Sequence, residues 1–260
     1  MRIVSLCPSN TEIVWALGAA DRLVGLDRSS DFPEEVVALP RVGPDIEIDV
    51  EAVARLRPDL VLSSLSVPGM ERNVAALDAA SIPHVVVDTQ SLQGVFDNVR
   101  LVGRLLGRGR RAAEVVDEMQ ARLAAVRADR LPSRPSVFLE WWPKPVIVPG
   151  GRCWTTEMIE IAGGRSAFGH LDVRSTPIEA DRVIDAAPDV LLTVWCGVPH
   201  ERQRPERLAD RAGWGSIPGV AAGRVWAAEE VYFGRPGPRL VAGVEWLHHR
   251  LAGVVAAGGH

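Results

Sequence analysis

IDVEAVARLRPDLVL, residues 48–62, is answered 130 residues later by IEADRVIDAAPDVLL, residues 178–192. The offset is constant: Ile48 with Ile178, Asp49 with Glu179, Glu51 with Asp181, Pro58 with Pro188, Asp59 with Asp189. Each copy reads as a short helix opened by carboxylates, a Pro-Asp turn and a buried strand. Repeat periods of about 20–50 residues build solenoids, whereas one repeat at half the chain length marks two related lobes. Apolar patterns match easily by chance. The ungapped carboxylate and Pro-Asp matches do not.

Outward from the repeat, short apolar runs alternate with amphipathic stretches, the rhythm of an α/β fold. Strands are predicted near 3–6, 23–26, 60–62, 84–87, 136–140, 146–148, 190–194 and 224–226. Helices are predicted between them: one opened by a Ser9/Glu12 capping box and stopped at Gly18, then 50–56, 70–80, 92–106, 155–162, 181–186 and 239–255. The middle differs. RAAEVVDEMQARLAAVRADR, from Arg111 to Arg130, carries helical spacing without Gly or Pro, between Gly107 and Gly109 on one side and Pro132 and Pro135 on the other. At 1.5 Å per residue it spans about 30 Å, enough to cross a small domain. The expected organisation is an N-terminal α/β lobe over 1–107, a single connecting helix over 108–131 and a C-terminal α/β lobe over 132–260. An ordinary crossover helix within one continuous sheet is the competing reading.

The 260 residues carry a net charge of −4 and 47% hydrophobic side chains, so no basic field invites nucleic acid. No segment has the length and apolarity of a membrane span. Cys7, Cys153 and Cys196 show neither CxxC pairing nor metal-ligand spacing, and the odd count argues against a disulfide framework. Met1 runs straight into the strand pattern RIVSL without a leader, so the chain as written is expected in the cytoplasm. A monomer is expected, with no required cofactor.

The stretch WWPKPVIVPGGRCW, residues 141–154, holds three of the eight tryptophans. Alternation puts Val137, Leu139 and Trp141 on one strand face and Phe138, Glu140 and Trp142 on the other. Pro143 and Pro145 cannot donate ladder bonds, so pairing is expected to end at the tryptophans. Gly150-Gly151 then allows a tight turn that delivers Arg152 and Trp154 to the next helix. Trp195 follows the 190–194 strand in the same way. Ligands of open α/β sheets sit beyond the carboxyl ends of the strands, and aromatic platforms with arginines suit a flat or anionic molecule. Trp15 and Trp246 fall in helical patterns and read as packing residues.

Catalysis finds no support. None of the six histidines, His84, His170, His200, His248, His249 and His260, stands at HExxH or another ligand spacing. His248 and His249 are adjacent on a helix, about 100° apart, a poor metal pair. Cys7 follows the first strand, where nucleophiles occur, but no motif places a histidine beside it. There is no GxSxG, P-loop or GxGxxG. A cytosolic small-molecule sensor or carrier would share every pocket feature and is the alternative to a transport protein.

RIVSLCPSNTEIVWALGAADRLVGL, the Asp31-Phe32-Pro33 turn, LRPDLVLSS, EIAGG and FGRPGPRL, in that order over nearly the whole chain, resemble the class III, helical-backbone substrate-binding proteins of ABC importers, in particular their vitamin B12-binding branch. The resemblance implies two α/β lobes joined by one long helix, with the ligand in a cleft between lobes. It places Ser29, Asp45, Ser64 and Ser175 where the branch has aromatic residues that grip the corrin ring, and Val231 at an acidic position. It retains the ligand-loop arginine as Arg235. The implied ligand is a bulky metal chelate or corrinoid: cobalamin, another corrinoid or a ferric siderophore. The candidate contacts are then Trp142, Arg152, Trp154, Trp195, Arg235, Ser29 and Ser64. In such proteins acids at the positions of Glu51 and Asp181 dock onto arginines of a dimeric permease. Helix capping is the plainer explanation of both.

Overall fold

The structure, a computed structural model, describes residues 1–257. Gly258, Gly259 and His260, the end of the second expected lobe, lie outside the described residues. The chain divides into two compact units: Met1–Thr89 with Gln93–Glu118, and Gln90–Leu92 with Met119 onward.

In the first unit, β1 (Ile3–Ser5), β2 (Leu23–Leu26), β3 (Leu60–Ser63) and β4 (His84–Val86) form a parallel sheet of order β2-β1-β3-β4. Its helices are α1 (Pro8–Ala16), α2 (Val50–Arg55), α3 (Glu71–Ala79) and α4 (Leu92–Leu105). Val4, Leu6, Val42, Val53, Val61 and Leu77 are buried together as its core. α5 (Gly109–Ala128) is one unbroken helix of 20 residues. Its first half belongs to the first unit and its second half to the second.

The second unit contains β5 (Ser136–Glu140), β6 (Trp142–Pro143), β7 (Val146–Pro149), β8 (Arg165–Ser166), β9 (Ser175–Ile178), β10 (Val190–Thr193) and β11 (Val225–Ala227). Its helices are α6 (Trp154–Ile161), α7 (Ala180–Ala186), α8 (Pro218–Ala221), α9 (Glu230–Phe233) and α10 (Leu240–Ala257). The main sheet is parallel and ordered β8-β5-β10-β11, the same winding as the first unit's. A small antiparallel sheet, β6-β7-β9, is added to it. Phe138, edge-on to Trp214 at 5.6 Å between centroids, lies at the centre of the second core. Two α/β lobes joined by a single helix are therefore the architecture, as the repeat and the long helical run predict.

The duplication extends to backbone detail. Arg57 (φ 47°) and Ala187 (φ 43°), equivalent across the 130-residue offset, both take left-handed geometry despite carrying a Cβ. Each precedes a proline, which denies that residue the right-handed helical conformation and forces α2 and α7 to end there. The next residue latches the sheet. Asp59 accepts the Arg2 N–H at 2.6 Å and returns its own N–H to the Arg2 carbonyl at 2.8 Å. Asp189 does the same with Ser136, at 2.7 and 2.9 Å. The Pro-Asp of each copy thus ties the repeat to the first strand of its own unit. Asp189→Ala leaves the part-buried Ser136 N–H without its acceptor and is expected to cost about 1–3 kcal/mol. Asp189→Asn, which keeps an acceptor oxygen, should cost less in chemical denaturation.

Three expectations need correction. The capping box does not form, because Pro8 starts α1 two residues early: the N-cap is Cys7, without a side-chain bond, and Ser9 and Glu12 lie buried inside the helix. Asp49 does cap α2, accepting the Ala52 N–H at 2.8 Å. Glu179 occupies the N-cap position of α7, but its side chain makes no cap bond. Pairing does not end at the tryptophans either. Trp142 stands opposite Ile147 and Pro143 opposite Val146, in a hairpin whose Lys144-Pro145 peptide is cis. Pro143 is tolerated because β6 is an edge strand, where a missing N–H leaves no ladder bond broken. β8, of two residues, is too short for a readable alternation, and Pro177 breaks the strand pattern of β9.

Candidate functional site

In the first unit the carboxyl ends of the strands carry hydroxyls. Thr11 donates to Ser5 Oγ at 2.8 Å and meets Ser30 Oγ at 2.8 Å, and Ser30 donates to Asp27 Oδ1 at 2.5 Å. Ser29 is exposed, its N–H bonded to Asp27 Oδ2 at 2.7 Å. Ser64 is buried and bonded to Ser66 Oγ at 3.0 Å. Burial raises the Asp45 carboxyl above the ordinary aspartate range. Ser5, Thr11, Asp27, Ser30 and Ser64 are buried, so this edge is an internal hydrogen-bond network with Ser29 exposed at its margin and no aromatic platform at these positions.

The second unit's strand ends are aromatic and charged. Glu140 closes β5 with its side chain fully buried. It accepts the Trp195 indole N–H at 2.8 Å through Oε1 and both terminal nitrogens of Arg211, at 2.5 and 2.9 Å. Arg211 also lies over the Trp214 ring, 4.5 Å from its centroid. Trp195 is half-buried at the end of β10, and Trp142 is 42% exposed. Sequence reasoning set Glu140 on a strand face but gave it no role, and it missed Arg211, which lies 71 residues away in a turn-rich segment without a motif.

Trp154 drops out of the contact set. It is 2% exposed, its N–H donates to the Phe233 carbonyl at 3.1 Å and its ring packs on Trp141 at 5.8 Å. It is core because α6 begins at this residue and turns it inward. Arg235, two residues beyond Phe233, is also buried, with Nε bonded to Glu230 at 3.1 Å. Arg152 is exposed and pairs with Asp172 at 3.3 Å. The structure thus brings Trp154 and Arg235 to one buried corner, and Trp195 to Glu140 and Arg211. Trp15, read as packing, is exposed and edge-on to Phe32 at 4.8 Å, while Trp246 is half-buried against Phe233 and Trp226.

Cys7 and Cys153 hold equivalent N-cap positions on α1 and α6, both buried. Burial pushes each thiol up to about 11. At pH 8 only about a thousandth of either would be thiolate, which removes the nucleophile reading. Iodoacetamide at pH 8 is therefore expected to label one thiol in the native protein, the exposed Cys196, and three after unfolding. Mass spectrometry counts them. His248 is buried, with Nδ1 at 3.0 Å from the Ala162 carbonyl and Nε2 at 3.1 Å from Asp129. It ties α10 to the end of α5. Among the described residues no group of three His, Cys, Asp or Glu side chains converges to hold a metal ion. No described helix is long and apolar enough to cross a membrane.

Two lobes of equal winding, one helix between them and polar and aromatic strand ends define a binding protein for small solutes. The family described as periplasmic binding protein matches residues 3–232. An ABC transporter substrate-binding lipoprotein of Bacillus subtilis, YvrC, is 30% identical over 95% of this chain and 78% of its own length. The vitamin B12-binding protein of Vibrio campbellii is 25% identical over 92% of this chain and 84% of its own. Among solved structures, the periplasmic heme-binding protein RhuT from Roseiflexus sp. RS-1 is 28% identical with a TM-score of 0.84, covering 98% of both chains. The chain belongs to the periplasmic binding protein family, as a class III substrate-binding protein of ABC importers resembling the vitamin B12-binding branch. That family consists of transport proteins, not enzymes.

Proposed function

We propose that this protein captures a bulky metal chelate or corrinoid outside the cytoplasm and hands it to the permease dimer of an ABC importer. The observation that carries the reading is the pair of accessible indoles at the second unit's strand ends, where Trp195 is held by its N–H and Trp142 stands exposed. At the first unit's strand ends the exposed Ser29 suits a ligand with a hydrogen-bonding group at its periphery as well as an apolar face. The arginines contribute less than their number in the sequence implies. Arg235 is turned inward to Glu230, and Arg152 already has an acidic neighbour. Cobalamin is one candidate among several, because relatives named for vitamin B12 and for heme resemble this chain over nearly all of its length.

The extracytoplasmic setting follows the family and the lipoprotein relative. The cytoplasmic placement drawn from the N-terminus has no support in the comparisons. Glu51 and Asp181 are the docking groups in this reading, each exposed in the first turn of one of the two equivalent helices, α2 and α7. Titration by tryptophan fluorescence with cobalamin, cobinamide, hemin and a ferric siderophore tests the ligand class. Saturable quenching by one of them at micromolar concentration is expected. Silence with all four would overturn the reading.

A further inference from the structure

We infer that Glu140 and Arg211 are positioning residues that fix the indole of Trp195 so that it meets the ligand with its ring face. The inference rests on the binding reading above. Indole has a single donor, and Glu140 takes it at 2.8 Å. With the N–H engaged, rotating the ring would cost a hydrogen bond to a carboxylate, one of the stronger kinds. Arg211 holds that carboxylate from the other side with two bonds, at 2.5 and 2.9 Å. The guanidinium is itself held over the Trp214 ring. Trp195 therefore offers no donor, and what it presents is its π face. That selects a ligand with a flat conjugated or apolar face.

The duplicated unit supplies the control. β3 pairs Leu60 with Ile3 and Leu62 with Ser5, while β10 pairs Val190 with Val137 and Leu192 with Leu139. Across the 130-residue offset, Glu140 therefore occupies the place of Leu6, and Trp195 the place of Leu65. The same sheet position in the same winding is thus filled by two leucines. The fold does not need a carboxylate there. Burying a carboxylate with a guanidinium is costly, and well-packed apolar residues often serve stability as well or better. The pair is explained by what it holds.

The test has a ligand-free and a ligand arm. In 15N-labelled protein the Trp195 indole N–H resonance is assigned by its loss in Trp195→Phe. It is expected to shift in Glu140→Gln and in the paired variant Glu140→Leu with Arg211→Leu. Glu140→Leu restores the residue type of Leu6, and removing Arg211 with it leaves no charge buried alone, so the pair keeps the fold if the single variant does not. Cyanocobalamin and hemin are then titrated. Whichever one the unaltered protein binds should bind both variants at least about tenfold more weakly. In a Trp195→Phe background Glu140→Gln should cause no further loss, because the two act as one unit. An unmoved indole resonance, or a loss of affinity that persists in full without Trp195, would overturn the inference. If the unaltered protein takes neither these probes nor cobinamide or a ferric siderophore, the ligand reading fails alone, and the resonance decides the positioning claim.

Discussion

Glu51→Arg combined with Asp181→Arg is expected to abolish importer activation while ligand affinity stays within about twofold of the unaltered protein. The two acids share one register in two copies of one helix. Asp49 already caps α2, so the helix does not need Glu51 for that purpose. Glu51 is 91% exposed and lies 3.8 Å from Arg55, an exposed pair of the kind that adds little stability. In the reading proposed above, a carboxylate at one register in each of two related helices would meet a cation on each half of a permease dimer. Reversal turns two attractions into repulsions, on the order of a hundredfold loss of association, and the residual binding should be salt-sensitive. Placing arginine in a first turn costs about 0.3–1 kcal/mol per helix, too little to unfold the chain. Ligand-stimulated ATP hydrolysis by the importer in proteoliposomes is the readout. Full stimulation by the folded double variant would leave the offset of each helix dipole as the whole role of both acids.

A second large effect is expected at Gly150. Gly150→Ala should destabilise the protein by about 3 kcal/mol or more, at the upper end for overpacking. A Cβ there would sit 2.4 Å from the Val173 carbonyl oxygen and 2.9 Å from that of Leu171. These are backbone atoms of a segment fastened by Gly150 N–H to Arg174 O at 2.9 Å and Gly151 N–H to Leu171 O at 2.6 Å. They cannot swing aside as a side chain would. Gly18→Ala is the comparison: its φ of 66° is strained for alanine, but the space around it is open. About 1 kcal/mol is expected there. Equal midpoint shifts in chemical denaturation would show that the 171–174 segment yields freely.

The Gly150 case shows why part of the site was not legible. The sequence suggested that Gly150-Gly151 were needed to turn the chain. Neither residue has positive φ, and the requirement comes from a loop more than twenty residues further on, with no local signal. Trp154 looked like a pocket residue for the same reason. Its burial depends on α6 and on the Phe233 carbonyl, 79 residues away. Helix capping at Ser9 failed nearer home, because Pro8 supplied a stronger start two residues earlier.

What the sequence determined by itself was the duplication, the single long helix and the α/β winding. All three rest on local periodicity and on an ungapped internal match, and neighbouring residues carry both. It also marked the Pro-Asp pairs, though not their partners. Tertiary structure alone decided that Asp59 and Asp189 latch Arg2 and Ser136, 57 and 53 residues away. It alone joined Glu140, Trp195 and Arg211 into one hydrogen-bonded group, at separations of 55 and 71 residues. A hydrogen bond depends on where atoms sit in space, and at such separations the chain between them leaves no spacing to read.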